Sequence, residues 1–428
     1  MKHVLKCSTV LFGAAAAIIA VATPQEARAD DCLLDTSGDG NADSNTDTDL
    51  QALSDNDDDT IACGKFATAR EVGAIAIGTN SRVDDVNIGQ QDPLIGTQTT
   101  GIDASIAIGA FAGASGSNNV ALGTDAVAAG ITPSGTTRIF TPVSGATAIG
   151  SLSRATANLS TSVGASSNAT AANASAFGNL AQATGIESTS VGSLSAATQE
   201  NASAFGHLAQ ATGIQSTSAG AESVATATNA SAFGYAAQAT GLRSTSVGGP
   251  SGATTTNASA FGYDAHATGQ QSTSVGARSD ATLDSASAFG YSAQARGGQS
   301  TSVGAFSITS AFRASAFGIG AQAMGSSSTS VGALSIAMAE RATALGTSAQ
   351  AIGTGSLALG TDGNGDDVGA QASGADSIAI GTDTEATDVN AMAFGTRARA
   401  FGRAGAAIGV DAFAGLSGTA LGGLSNAS

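Results

Sequence analysis

The stretch "NASAFGHLAQATGIQSTSAGAESVAT" (201–226) returns almost unchanged as "NASAFGYAAQATGLRSTSVGGPSGAT" (229–254). At the same spacing, Phe205, Phe233, Phe261, Phe289 and Phe317 continue the column that Phe177 opens. Midway between them stand Val163, Val191, Ala219, Val247, Val275, Val303 and Val331, each followed by glycine. From Gly150 to Gly360 a glycine recurs at every fourteenth position without a miss. The period is therefore fourteen, with Phe and Val alternating over a superperiod of twice that length.

Fourteen residues are too few for a repeating helical hairpin. They suit one coil of a narrow β-solenoid, with two strands of about five residues and two tight turns. "STSVG" (188–192) alternates as a strand should, with Thr189 and Val191 to one side and Ser188, Ser190 and Gly192 to the other. "ASAFG" (174–178) does the same, with Phe177 opposite Ala174, Ala176 and Gly178. A second series, Gly185, Gly213, Gly241, Gly269, Gly297, Gly325 and Gly353, follows half a coil later. Paired glycines predict two turns per coil, each needing a positive φ or a close backbone approach. The pattern predicts an all-β fold, a parallel β-solenoid with 14-residue coils.

A coil this short closes so tightly that small residues suit its inside, which sends the large ladder outward. Val163, Phe177, Val191, Phe205, Phe233, Val247, Phe261, Val275, Phe289, Val303, Phe317 and Val331 then form an apolar stripe. Such a stripe is too much apolar surface for a soluble monomer. Burying one of these side chains is worth roughly 1.5–3 kcal/mol, so these twelve are candidate interface residues between parallel identical chains related by cyclic symmetry. The opposite arrangement, large residues inside a monomeric roll, stays open on the pattern alone.

Composition narrows the class of function. The chain opens "MKHVLKCSTVLFGAAAAIIAVATPQEARAD", where Lys2 and Lys6 precede an apolar run and Ala27-Arg28-Ala29 supplies a small-x-small cleavage site. We read residues 1–29 as a secretory signal; the apolar run is too short for a spanning helix. Residues 30–428 would then carry 13 basic against 32 acidic residues, with Lys65 the only lysine and no Trp. Such a chain repels nucleic acid and anionic membranes unless cations intervene. No second hydrophobic segment long enough for a spanning helix follows. The expected divisions are an acidic segment (30–69), irregular repeats with inserts (70–149), regular repeats (150–360) and further repeats after an acidic insert (361–428).

Residues 30–63 hold eleven aspartates and neither lysine nor arginine. Within them, Asp35, Ser37, Asp39, Asn41 and Asp43 alternate around Gly40 as oxygen ligands do in a calcium loop. The usual acidic twelfth position is Thr46 and no flanking helices are evident, so a solvated acidic linker is the competing reading. Cys32 and Cys63 bracket the segment; in an exported chain a disulfide is the natural reading. In a second acidic stretch, "TDGNGDDVGAQASGAD" (361–376), Asp362, Asn364 and Asp366 could share a cation, but a bulging solvated loop is favoured. Interruptions at 81–102 and 131–145 carry Pro93, Pro133 and Pro142 and are expected to emerge as loops, where ligand contacts often gather.

Catalytic chemistry has little to stand on, and no enzyme is expected. His207 shares its column with Asn179, Tyr235, Tyr263, Tyr291 and Ile319, a surface ladder after the glycine. No Gly-Lys-Ser/Thr follows the glycines, which excludes a phosphate loop of that type. "N-x-S/T" recurs at Asn173, Asn201, Asn229 and Asn257, formal glycosylation acceptors that read better as turn residues.

The glycine-ending strands also carry a family resemblance. "SIAIG" at 105–109 and 377–381, with "AIAIG" (74–78), "NVALG" (119–123), "AMAFG" (391–395) and "GAAIG" (405–409), resembles the head repeats of trimeric autotransporter adhesins, the YadA-like heads. The likeness runs from about residue 70 to the C-terminus, and the number of copies in phase makes it specific. It implies a left-handed parallel β-roll, a homotrimer, and adhesion to a host matrix protein or cell-surface receptor at the surface of a Gram-negative bacterium. That family continues into a coiled-coil stalk and membrane anchor, whereas this chain ends in "LGGLSNAS", still within the repeat. We therefore expect either a head without an anchor of its own or a truncated product. Two alternatives compete with the adhesin. An ice- or crystal-surface binder would use the ladder Thr189, Thr217, Thr245, Thr273, Thr301 and Thr329. A matrix or filament subunit would stack end to end.

Overall fold

The computed structural model describes residues 53–54, 61–69, 73–83, 105–134 and 137–428. The chain divides into two compact units, Met1–Thr198 and Gln199–Ser428. In its described residues each is a parallel β-solenoid, and no helix occurs among them. In the first unit, eight three-residue strands, from Ile61–Cys63 to Thr189–Val191, pair in parallel, one per coil. In the second, sixteen run from Ser203–Phe205 to Thr419–Leu421. Two-residue strands on the other side of each coil form a second parallel sheet.

The coil 175–188 shows why the strands are shorter than expected. Ser175–Phe177 is followed by a turn, then Gln182–Ala183, then a second turn. The Ala181 N–H donates to the Gly178 carbonyl at 3.3 Å, and the Ser188 N–H to the Gly185 carbonyl at 3.2 Å. Turning twice consumes most of the coil. The turn backbones still join the ladder between coils: the Gly192 N–H donates to the Phe177 carbonyl at 2.8 Å, and the Glu187 N–H to the Ala172 carbonyl at 2.9 Å. Stacking thus satisfies the polar backbone that corners would otherwise strand.

The interior admits only small side chains. Ala174, Ala176, Ala181 and Ala183 make one fully buried layer, and Ser188, Ser190, Ser195 and Ala197 the next. In the serine layer, the Ser190 and Ser195 hydroxyls pair at 2.7 Å, and Ser195 donates onward to the Gly192 carbonyl at 2.8 Å. In the second unit the same pairing recurs in every second coil, from Ser218 with Ser223 at 2.6 Å to Ser330 with Ser335 at 2.6 Å. The superperiod is therefore internal as well as external: Phe-bearing coils hold alanines and Val-bearing coils hold paired hydroxyls. Among the described residues the largest fully buried side chains are Val83 and Val127. The arrangement with large residues inside is excluded.

The two glycine series do different work. Gly178 sits at φ +134°, and a Cβ there would lie 2.6 Å from the Gly192 carbonyl oxygen of the next coil. Gly213 has no such φ, but a Cβ on it would collide with the Ala227 carbonyl. The left-handed turn positions belong to other residues, two per coil, such as Leu180 (φ 58°) and Glu187 (φ 57°). Left-handed backbone costs an L-residue roughly 1–2 kcal/mol, and Asn tolerates it best among side-chain-bearing residues. Asn173, Asn201, Asn229 and Asn257 all occupy this position, at φ 55–58°, so the N-x-S/T sites are turn residues.

The interruption at 131–145 is an antiparallel hairpin, Gly130–Ser134 with Thr137–Thr141, rather than an irregular loop. Fully buried Asn119 closes the gap where the chain leaves and rejoins the roll. Its Nδ2 donates to the Ser115 and Val143 carbonyls, each at 2.8 Å, and its Oδ1 accepts the Ala146 N–H at 2.7 Å. Asn119→Ala strands these groups and should cost about 1–3 kcal/mol. Gly262→Ala, at φ +138° with a Cβ 2.6 Å from the Gly276 carbonyl oxygen, should cost about 2 kcal/mol or more. Thermal unfolding followed by circular dichroism checks both. An unchanged melting curve for Gly262→Ala would mean that the coils are not stacked this closely.

Candidate functional site

The long-strand face carries two outward columns, one apolar and one of hydroxyls. In the first unit, Val163, Phe177 and Val191 stand in register on adjacent coils. In the second, Phe205 and Phe233 flank Ala219, and Val247, Phe261, Val275, Phe289, Val303, Phe317 and Val331 follow one another. The phenylalanines are 38–42% exposed and the valines half-buried. All twelve residues expected to face outward do so, because the neighbouring strand positions point into an interior with room only for Ala and Ser. Each ring rises between two shorter side chains, which makes the stripe corrugated: a knob every second coil and a notch between.

The second column holds Thr189 in the first unit and Thr217, Thr245, Thr273, Thr301 and Thr329 in the second. These threonines are half-buried beside the valines and alternate in register with serines such as Ser231 and Ser259. They form a shared face with the apolar ladder rather than a separate threonine plane, which weakens the ice-surface alternative. The short-strand side carries a column left unread in the sequence: Gln210, Gln238, Gln294, Gln322 and Gln350 in the second unit, with His266 in the same series. Its signal is the Gln-Ala pair that recurs in every second short strand, as at Gln210-Ala211 and Gln238-Ala239.

Asp35, Ser37, Asp39, Asn41, Asp43 and Cys32, the calcium and disulfide expectations, lie outside the described residues, as does most of the interruption at 81–102. Cys63 is disulfide-bonded. His207 is exposed in its column, and His266 Nε2 lies 3.7 Å from an Asp264 carboxylate oxygen in an exposed pair. Among the described residues no group of three or more His, Cys, Asp or Glu side chains is placed to hold a metal.

The insert after Gly360 is an exposed loop that spends its carboxylates on its own backbone. Asp362 Oδ1 accepts the N–H groups of Gly365 at 2.7 Å and Asn364 at 3.0 Å, and Oδ2 accepts that of Asp367 at 2.8 Å. Asn364 and Asp366 bond to each other, and Gly363 donates to Asp383 at 2.9 Å. The Gly365 hydrogen bond, helped by those of Asp367 and Asn364, holds the Asp362 carboxyl below the ordinary carboxylate range. A lowered folded-state pKa means that this contribution is present above the ordinary value and lost as pH falls through the lowered one. Relative to the intrinsic rate at each pH, amide exchange at Gly365 and Asp367 should therefore stay slow at neutral pH and accelerate only below the ordinary carboxylate pKa of about 4. In Asp362→Ala it should be fast throughout; equal exchange in both proteins would deny Asp362 this role.

The family model described as YadA head domain repeat (2 copies) matches this chain at residues 58–81, in overlapping stretches from 169 to 249, and at 253–279, 284–307 and 339–362. It matches again, in overlapping stretches, from 368 to 412, so that more than half of the chain is covered. No curated protein matches it.

Proposed function

The chain belongs to the YadA head family, and we propose that it is an adhesin-like head that assembles as a homotrimer along its Phe/Val face. In this reading it is exported to, or released from, the surface of a Gram-negative cell and attaches to host, matrix or cell surfaces. The observation that carries it is the outward ladder, with phenylalanines 38–42% exposed in every second coil.

Magnitudes favour assembly. Completing the burial of one half-covered ladder side chain is worth about 1 kcal/mol. Association costs an estimated ~4–15 kcal/mol in lost translational and rotational freedom, so a few rungs cannot hold two chains together. A repeat that carries nine of these side chains along the second unit alone can. The corrugation also sets register: chains related by cyclic symmetry keep equal coils at equal height, so rings meet rings and valines meet valines, and a slip of one coil would set each ring against a valine. Attachment then follows from repetition: three identical chains, each offering many similar coils, gain avidity without any single strong site. Nothing in this reading calls for catalysis.

The decisive measurement is the absolute mass of residues 30–428 in solution by light scattering, with and without calcium. Three chains per particle are expected, and Phe261→Ser with Phe289→Ser should shift the mass toward one chain while the β-sheet signal of circular dichroism persists. A monomer at micromolar concentration would sink the assembly reading. Adhesion is read separately, as retention of the labelled protein on matrix proteins and on cells.

A further inference from the structure

The chain has three tyrosines and no tryptophan, and all three tyrosines, Tyr235, Tyr263 and Tyr291, stand in one column of the second unit. They occupy the corner just after a long strand, two coils apart, and are 58%, 59% and 45% exposed. The intervening corners hold Gly249 and Ala277, so no bulky side chain of the column stands between the rings. Coils that pair strand to strand step by about 4.8 Å, which spaces successive rings by roughly 10 Å.

Two of the rings are held in place. The Tyr263 ring leans across Gly249, where even a Cβ would come within 3.7 Å of it. Tyr291 packs edge-on against Phe306, with ring centroids 5.3 Å apart, and its hydroxyl accepts a hydrogen bond from Arg278 Nη1 at 3.3 Å. Arg278 thus places a guanidinium beside the ladder, and Asp264 a carboxylate next to Tyr263 in the chain. This corner is distinct from the Phe/Val face.

Evenly spaced, exposed rings with planar polar groups beside them suit a sugar chain. The C–H face of a pyranose stacks on an aromatic ring, and its hydroxyl edge meets guanidinium and carboxylate groups. In an extended β-1,4-linked glycan alternate sugars present the same face, and that two-sugar repeat is close to the two-coil step. A coiled α-1,4-linked chain has no such repeat. A formal net charge of −17 disfavours sulfated or uronic-acid chains. We propose that Tyr235, Tyr263 and Tyr291 form a binding track for a neutral, extended β-1,4-linked glycan. The proposal deepens the adhesive reading and rests on it for its setting, but it does not require a trimer.

Because the chain lacks tryptophan, its intrinsic emission reports on these three rings alone. Titration of the protein with chitohexaose and with cellohexaose should change tyrosine fluorescence saturably, and maltohexaose should not. By calorimetry, Tyr263→Ala should weaken binding at least tenfold. Tyr263→Ala combined with Ala277→Tyr keeps three rings but breaks the even step, and should be equally weak; circular dichroism checks that each variant is folded. No response to either β-linked hexamer, an equal response to maltohexaose, or full affinity in the displaced-ring variant overturns the proposal. So does a sugar-independent fluorescence change that tracks protein concentration and is absent in the variants, since the column would then be a contact between chains. If the triple alanine variant still adheres to cells as well as the native protein does, the track fails and the adhesive reading stands. If the native protein adheres to nothing, the adhesive reading fails, and the glycan titration is judged by itself.

Discussion

The distance across a single coil is the constraint on which the rest of the structure depends. A coil that turns twice within one short repeat leaves an interior one small side chain deep. Ala176 and Ala183 fill it in one coil, and Ser190 with Ser195 in the next. A core of this kind buries little apolar area per residue, so the hydrophobic effect that stabilises an ordinary domain is weak here. The backbone ladder between coils and the close stacking of glycines such as Gly178 on Gly192 take its place. Left-handed turn residues such as Leu180 and Glu187 are tolerated because each also donates its N–H to the preceding coil, at 2.9 Å in both cases.

The same constraint produces the functional surfaces. Side chains that cannot go inside must go outside, and a strict repeat places them in columns. One column becomes the corrugated Phe/Val stripe, another the glutamines of the short-strand face, and a third the three tyrosines. In such a fold the surface is designed by periodicity: a residue type chosen once in every two coils becomes a line of identical groups with fixed spacing. Lines of weak sites suit assembly and multivalent attachment better than they suit catalysis, which needs different groups converging on one point.

Departures from the repeat are where individual residues matter. Asn119 is buried where the chain rejoins the roll after the hairpin at Gly130–Thr141, and its side-chain amide serves the Ser115 and Val143 carbonyls and the Ala146 N–H. Asp362 holds its insert by the same logic in solvent, its two carboxylate oxygens standing in for the missing coil-to-coil bonds. Both residues supply from a side chain hydrogen bonds that regular coils make through the backbone, as Ala174 does to Ala171.

The repeat period, the parallel coils and the two faces of each strand were legible in the sequence, because alternation along a strand assigns faces; the bulk of Phe against Ala favoured Phe177 and its equivalents outside, and the structure decided it. The glycine after each long strand was legible for the same reason. The columns of left-handed residues were not: they carry Leu, Glu, Gln, Arg, Ser and Asn alike, and a position defined by backbone conformation leaves no single residue type to recognise. The structure alone decided that the second glycine series serves close approach rather than positive φ, since that depends on the carbonyl of the next coil. It alone decided that the serines pair across the interior and that Asn119 closes the gap. Each of these is set by a neighbour across the coil or in another coil, at a distance and angle that spacing along the chain does not encode.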